Sequence, residues 1–348
     1  MIRINLNGTD REIPAETTLL GLVEQLGWPQ KGSAAAVNDE VIPKARWATT
    51  VLREGDRVEL VRPMGGGSGP DGAAADPDPG GEPDDPFVLG GRTFRSRLIV
   101  GTGKYSSVEV MQAALANSGA EMVTMAIRYM NLEQGGADLL RAVDWTRYHL
   151  LPNTAGAYTV EQAVKMAMLA REALETPWIK LEVIGDADSL LPDLQGTVEA
   201  ARILVREGFI VLPYTTADLV TALRLEDAGC AAVMPLAAPI GTGQGLVDWT
   251  SIRRLVDRIQ VPVIVDAGIG CATDACQAME LGADAVLVNT AIARADDPPR
   301  MALAMRYGVM AGRLGYLAGR MPIYMEAQPS SPTTGVPLPP MRQPGEVE

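Results

Sequence analysis

Eight short apolar runs recur through the C-terminal two thirds of this sequence, each followed by a stretch with helical spacing. They read "RLIVG", "EMVTMAI", "HLLPN", "WIKLEVI", "FIVLP", "CAAVMP", "VPVIVDAG" and "ADAVLVNT". Intervening segments such as "TVEQAVKMAMLAREAL" and "ATDACQAMEL" place apolar residues at i, i+3 and i+4, the period of one helix face. Eight β-α units in roughly 230 residues match the count and length of a (β/α)8 TIM barrel. A doubly wound open sheet is the competing arrangement. It usually has fewer strands, and no GxGxxG opens the first helix; "GTGKY" is only a short glycine turn.

A different pattern precedes the barrel. "IRINLNG" and "DREIPA" predict a hairpin turning at Asn7-Gly8. "TTLLGLVEQLGW" carries Leu19, Leu22, Val23 and Leu26 at helical spacing and stops at Gly27. "AAAVNDEVI" and "DRVELVRP" supply further short strands, the second alternating Val58 and Leu60 with Glu59 and Val61. Strands around one helix in so short a span predict a small α+β, ubiquitin-like β-grasp domain over residues 1–67. Residues 68–87 are Gly, Pro, Ala, Asp and Ser in composition, a flexible acidic linker. The barrel is expected over 88–325, and the proline-rich 326–348 as a disordered tail.

Composition narrows the chemistry. A net charge of -13 argues against nucleic acid as a partner. Part of it is local, since Asp71, Asp76, Asp78, Glu82, Asp84 and Asp85 sit in the linker with no compensating base. No apolar run approaches the ~20 residues of a membrane helix, the N-terminus does not read as a secretory signal, and three cysteines are too few for a disulfide framework. The expected setting is cytoplasmic and reduced. One histidine, His149, excludes a histidine triad or a multi-histidine metal site within one chain. It is read as structural, so proton transfer falls to Lys, Asp, Glu, Tyr or water.

In "PWIKLEVIGD", alternation puts Trp178, Lys180, Glu182 and Ile184 on one face and Ile179, Leu181 and Val183 on the other. The aliphatic face suits the surrounding helices, which turns Lys180 and Glu182 into the lumen. Burial there lowers a lysine's pKa and yields a free amine able to attack a carbonyl; the plainer reading is a structural ion pair. Lys104, the rival lysine, lies in a glycine-flanked loop and is expected to be solvated. Asp266 ends the seventh run, where barrel enzymes place catalytic groups. Glycine-rich turns follow the sixth and seventh runs, "APIGTGQG" and "DAGIG", and with "VNTAIA" after the eighth they make a phosphate-binding mouth. This supports imine formation with a phosphorylated keto sugar. Cys230, Cys271 and Cys276 are read as structural.

The barrel sequence resembles the thiazole synthase family of thiamin biosynthesis, ThiG. The matching stretches are "GTGKY", "LLPNTAG", "WIKLEVIGD", "RLEDAGCAAVMPL", "APIGTGQG", "PVIVDAGIG", "AMELGADAVLVNTAIA" and "AGRLGYLAGR". Residues 1–67 resemble its sulfur-carrier partner, ThiS, a β-grasp protein ending in glycines. The resemblance implies a Schiff base between Lys180 and 1-deoxy-D-xylulose 5-phosphate, with Glu182 and Asp266 moving protons. It implies that Gly241, Ala267, Gly268, Asn289 and Thr290 hold the sugar phosphate, largely through backbone amides. It further implies sulfur from the carrier thiocarboxylate, carbon and nitrogen from dehydroglycine, self-association, and no metal or organic cofactor. Two departures stand out: Ala237 replaces a family glycine, adding a methyl near the site, and "YMEAQPSSP" replaces a segment expected at the active-site mouth.

A sulfur carrier works through a free terminal carboxylate that an adenylating enzyme activates. Here Gly66-Gly67 is followed by Ser68. The expectation is cleavage after Gly67, which would make a working terminus. Two alternatives remain open from the residues alone: a lysine-dependent aldolase acting on another phosphorylated keto sugar, and an N-terminal domain that is only a ubiquitin-like binding module.

Overall fold

The structure, a computed structural model, describes residues 1–27, 33–61, 85–126, 142–328 and 330. Gly65 to Gly67, most of the expected linker and most of the expected tail lie outside those residues. Among the described residues, no helix is long and apolar enough to cross a membrane.

The N-terminal unit is a five-stranded sheet in the order β2-β1-β5-β3-β4. β1 (Ile2–Leu6) and β2 (Thr9–Ile13) pair antiparallel, with Leu6 opposite Thr9. The turn between them holds Asn7 and Gly8 at positive φ, the conformation the Asn-Gly pair is suited to. "AAAVNDEVI" is itself a hairpin: β3 (Ala34–Val37) and β4 (Glu40–Ile42) are joined through Asn38 and Asp39, both at positive φ. β5 (Arg57–Val61) runs parallel to β1 and antiparallel to β3. Helix α1 (Leu19–Gln25), capped by the Thr18 hydroxyl, lays Leu19, Leu22 and Val23 against Ile4, Ile13, Ala35, Val58 and Leu60. This gives the small unit its own core.

The second unit is a closed barrel of eight parallel strands. They are β8 (Leu98–Gly101), β9 (Met122–Ala126), β10 (His149–Asn153), β11 (Trp178–Leu181), β12 (Ile210–Thr215), β13 (Met234–Pro235), β14 (Ile264–Val265) and β15 (Ala285–Val288). They neighbour one another in sequence order, and β15 returns to β8. Parallel bridges Val233–Val263 and Leu236–Asp266 close β13 onto β14. Each apolar run of the sequence therefore supplies one barrel strand.

The helices form the outer ring: α2 (Val108–Ser118), α3 (Val160–Leu174), α4 (Leu194–Arg206), α5 (Leu219–Asp227), α6 (Trp249–Arg258), α7 (Ala272–Glu280), the single turn α8 (Thr290–Ala293) and α9 (Pro298–Ala318). Side chains of Ser107, Thr159, Asp193, Asp218, Asp248 and Asp297 accept from backbone N–H groups in the first turns, which fixes where these helices start.

A hairpin of β6 (Phe87–Leu89) and β7 (Arg92–Phe94) plugs the N-terminal end of the barrel. Phe87, Leu89 and Phe94 pack there with Met122, Leu151, Trp178 and Leu212. Among the described residues, the barrel consequently opens at the ends where its strands finish.

Asp85 corrects the composition-based reading of the linker as a run of unpaired acids. Arg313 forks onto it at 2.6 and 2.7 Å, and Arg97 lies 3.0 Å away. Its bases come from the barrel, 12 and 228 residues distant in sequence, so no local reading finds them. The hydrogen bonds from Arg313 hold its carboxyl below the usual carboxylate range, against the opposing effect of burial. Residues 319–328 leave the C-terminal end of α9, on the plugged side, and none of them lines the cavity at the open end. The expectation that "YMEAQPSSP" sits beside the mouth is not met by its described residues within this chain.

Candidate active site

The strand alternation in "WIKLEVI" sorts side chains as the sequence requires. Ile179, Leu181 and Val183 are buried against the helices α3 and α4, in one cluster with Ala163, Ala167 and Ala201. Trp178 joins the plug, while Lys180, Glu182 and Ile184 face a cavity of about 540 Å³ at the open end.

Lys180, Glu182 and Asp266 form the floor of that cavity, all three buried. Lys180 Nζ donates to Glu182 Oε1 at 2.7 Å. Asp266 Oδ2 lies 2.8 Å from the same nitrogen, a close ionic contact without the alignment of a hydrogen bond. Asp266 Oδ1 accepts from the Ala267 N–H at 2.7 Å, which holds the carboxylate in place. The Tyr214 ring centroid is 5.4 Å from Nζ, and the Tyr214 hydroxyl reaches the Leu190 carbonyl at 3.4 Å. Burial pushes that phenol well above its ordinary value.

These surroundings correct one expectation. Burial alone lowers a lysine's pKa, but at Lys180 Asp266 and then Glu182 more than offset it, and the pKa stands above the ordinary lysine value. The resting amine is an ammonium between two carboxylates. Asp266 moves the other way from a solvated aspartate: burial raises its carboxyl, only partly opposed by Lys180. A raised carboxyl beside an ammonium is a proton acceptor poised to take the lysine's proton when a ligand breaks the pairing.

Gly241, Ala267, Gly268, Asn289 and Thr290 all line the same cavity, so the structure gathers there every barrel residue expected to act on or bind the substrate. Ala267 and Gly268 both have positive φ. A Cβ on Gly268 would stand 2.4 Å from the Ala238 nitrogen, so the loops after β13 and β14 meet backbone to backbone there. Asn289 turns its side-chain nitrogen toward the carbonyls of Gly103 and Gly101, at 3.0 and 3.2 Å, and ties the loop after β8 to the end of β15. Ala237 is buried among core side chains, donating its N–H to the Asp266 carbonyl at 2.9 Å; its methyl adds to the core and not to the cavity wall.

Several site residues escaped the sequence reading. Thr154 is fully buried; its hydroxyl donates to the Glu182 carbonyl and accepts from the Glu182 N–H, both at 2.8 Å, and so fixes that strand end. Asn153, paired with Lys180 across β10 and β11, donates to Thr124 Oγ1 at 3.0 Å and lines the cavity. The signal was a polar Asn-Thr pair ending an apolar run. Lys104 and Arg294 are exposed at the cavity rim, and among the described residues neither makes an ion pair. Lys104 is thus solvated as expected, yet it belongs to the site.

His149 sits far from this chemistry, in the plug: its ring centroid lies 4.6 Å from that of Trp178, and Nδ1 is 3.0 Å from Arg92 Nη1. Cys230 is buried, Cys276 is half-buried on α7, and Cys271 is exposed at the start of that helix; none lines the cavity. Among the described residues there is no cluster of three or more side chains suited to a metal ion.

The chain is similar to known proteins. Residues 88–332 match the family described as thiazole biosynthesis protein ThiG, and residues 4–67 match the ThiS family. A thiazole synthase of Paramagnetospirillum magneticum is 45% identical over 338 residues, covering 96% of this chain and 100% of its own length. A thiazole synthase of Myxococcus xanthus is 56% identical over 254 residues, covering 73% of this chain and 97% of its own. Among solved structures, the Amycolatopsis orientalis BexX/CysO complex superposes with a TM-score of 0.64 at 39% identity, covering 70% of this chain and all of the matched one.

Proposed function

The chain belongs to the thiazole synthase family of thiamin biosynthesis, ThiG, with a ThiS-family domain joined ahead of the barrel, and from that membership we propose that Lys180 is the nucleophile of thiazole formation. The observation that carries the proposal is the buried ammonium of Lys180 held between Glu182 and Asp266 on the cavity floor. A structural ion pair needs one partner; two carboxylates around one lysine leave a base when the amine becomes a bond.

The substrate is 1-deoxy-D-xylulose 5-phosphate. Its phosphate meets the backbone of Gly241, Ala267, Gly268 and Thr290, while Lys104 and Arg294 at the rim add positive charge. Lys180 gives a proton to Asp266, and its lone pair attacks the keto carbon. The carbinolamine then takes a proton back on its hydroxyl and loses water to form the imine. Glu182, one hydrogen bond from the new nitrogen, moves protons between adjacent carbons so that the carbonyl migrates along the sugar. The small domain delivers sulfur as a thiocarboxylate at Gly67: after cleavage beyond that residue an adenylating enzyme activates the free carboxylate, sulfide-level sulfur from a donor displaces AMP, and dehydroglycine supplies carbon and nitrogen.

Borohydride reduction in the presence of the sugar phosphate tests the assignment. A stable adduct on the peptide bearing Lys180 is expected, and the intact mass of the chain isolated from its own cells should show an N-terminal fragment ending at Gly67 with one oxygen replaced by sulfur. An adduct on Lys104, or none, would overturn the lysine assignment. A single uncut chain with full activity would overturn the cleavage.

A further inference from the structure

The three alanines Ala34, Ala35 and Ala36 are all buried, although successive residues of a strand face opposite sides. Ala35 belongs to the small domain's own core. Ala34 and Ala36 belong to the barrel's, together with Ala163, Ala167 and Ala170 of α3. Val41 and Val61 pack against the same cluster. The small side chains let the sheet approach the helix closely. At one end of this contact Lys165 Nζ reaches Glu59 Oε1 at 2.6 Å and Asp39 Oδ1 at 2.7 Å; at the other, Lys44 Nζ lies 3.9 Å from Glu175 Oε1. Burial lowers the Lys165 pKa, but the two carboxylates raise it further, to a net rise.

These pairs fix a direction. A barrel helix runs from the open end back to the plugged end, so Lys165 stands nearer the mouth and Glu175, at the helix C-cap, nearer the plug. Asp39 precedes β4 and Lys44 follows it, so β4 descends from the mouth toward the plug. β3 is antiparallel to both β4 and β5, hence β5 descends too and Val61 exits toward the plug. The chain is next described at Asp85, held by Arg97 ahead of β8 and Arg313 near the end of α9, at the same plugged end. From Val61 to Gly67 the chain spans at most about 20 Å, while α3 alone is about 22 Å long and the strand points away from the mouth.

We propose that the outer face of α3 is a holding site for the carrier domain, from which its terminus cannot reach Lys180, so that sulfur transfer requires the domain to leave α3. The inference rests on the thiazole synthase reading of the two parts. Lys165 is the clasp, and it lies outside the catalytic cavity.

The test uses the full-length chain with a protease site placed directly after Gly67, cut after folding. In the wild type the two pieces co-elute. In Lys165→Glu, where like charges face each other, the small piece separates, and turnover with the adenylating enzyme and a sulfur donor rises roughly fivefold. Lys165→Glu combined with Glu59→Lys restores co-elution and the slower turnover. Unchanged co-elution in Lys165→Glu would overturn the clasp. Separation with unchanged or reduced turnover would overturn the holding role and make α3 the seat of delivery. Borohydride trapping on Lys180 in the same samples separates the two readings, because its absence would count against the active site and leave the elution result standing.

Discussion

Lys180 and Asp266 lie 2.8 Å apart although their strands stand three places apart around the barrel, so their meeting depends on ring closure at β13 and β14. Asp266→Asn keeps the shape of the side chain and leaves Lys180 its bond to Glu182, so the fold should survive. On the proposed mechanism, the acceptor for the lysine's proton is gone. Imine formation should fall by roughly 10²- to 10⁴-fold, the ordinary contribution of a positioned base, with little change in KM for the sugar phosphate. Single-turnover borohydride trapping measures it. A KM effect with kcat retained would mean that Asp266 binds substrate and does not move protons.

Removing the lysine tests the same trio through stability. Lys180→Met leaves Glu182 and Asp266 buried and close together with no cation between them. The Asp266 carboxyl, already above the ordinary value of 3.8, should rise further. An acid whose folded pKa is raised contributes stability that is full below its unfolded pKa and is lost as pH rises through the folded one. The variant should therefore lose least against wild type near pH 4 and about 3 to 5 kcal/mol near pH 8. Tm values at the two pH values decide it; an equal loss at both would mean that the carboxylates find other partners.

The sequence carried the strand order, the inward face of β11 and the gathering of Lys180, Glu182 and Asp266, because period-two alternation and strand-end position are local signals. It did not carry the state of Lys180. A lone lysine in an apolar strand reads as desolvated, whereas the second carboxylate arrives from residue 266, and only three-dimensional closure makes it a neighbour. Asp85 misled for the same reason, since its arginines are remote in sequence. The alanines of β3 gave a usable sign that went unread: a strand with two buried faces must be covered twice.

Two glycines of the mouth separate backbone strain from crowding. Gly241 and Gly268 both have positive φ and both line the cavity. Nothing stands within 4 Å of a Cβ on Gly241, whereas one on Gly268 would meet the Ala238 nitrogen at 2.4 Å and its carbonyl oxygen at 2.5 Å. Gly241→Ala should cost only the ~1 to 2 kcal/mol of a left-handed alanine. Gly268→Ala must also push apart the loops after β13 and β14, so it should lower Tm further and raise KM for the sugar phosphate at least tenfold more. Equal effects in thermal melts and kinetics would show that the loops yield freely.

The single histidine offers a clean probe of the plug. Burial and then the neighbouring Arg92 guanidinium push His149 down to about 4. Arg92 Nη1 can only donate, so Nδ1 accepts and the neutral ring carries its proton on Nε2, which is buried without a hydrogen-bond partner among the described residues; a second proton, on Nδ1, would face the guanidinium. With one histidine in the chain, one imidazole signal reports the site in a proton NMR titration. Its midpoint should fall near 4, and that of the unfolded chain near 6.5. Because the folded value is the lower one, the unfolded chain binds more protons between them, so this residue's contribution to stability is complete above 6.5 and declines as pH falls toward 4. Arg92→Leu should move the folded midpoint upward by removing the nearby positive charge. A wild-type midpoint near 6.5 would mean that the hairpin of β6 and β7 does not seal the barrel in solution.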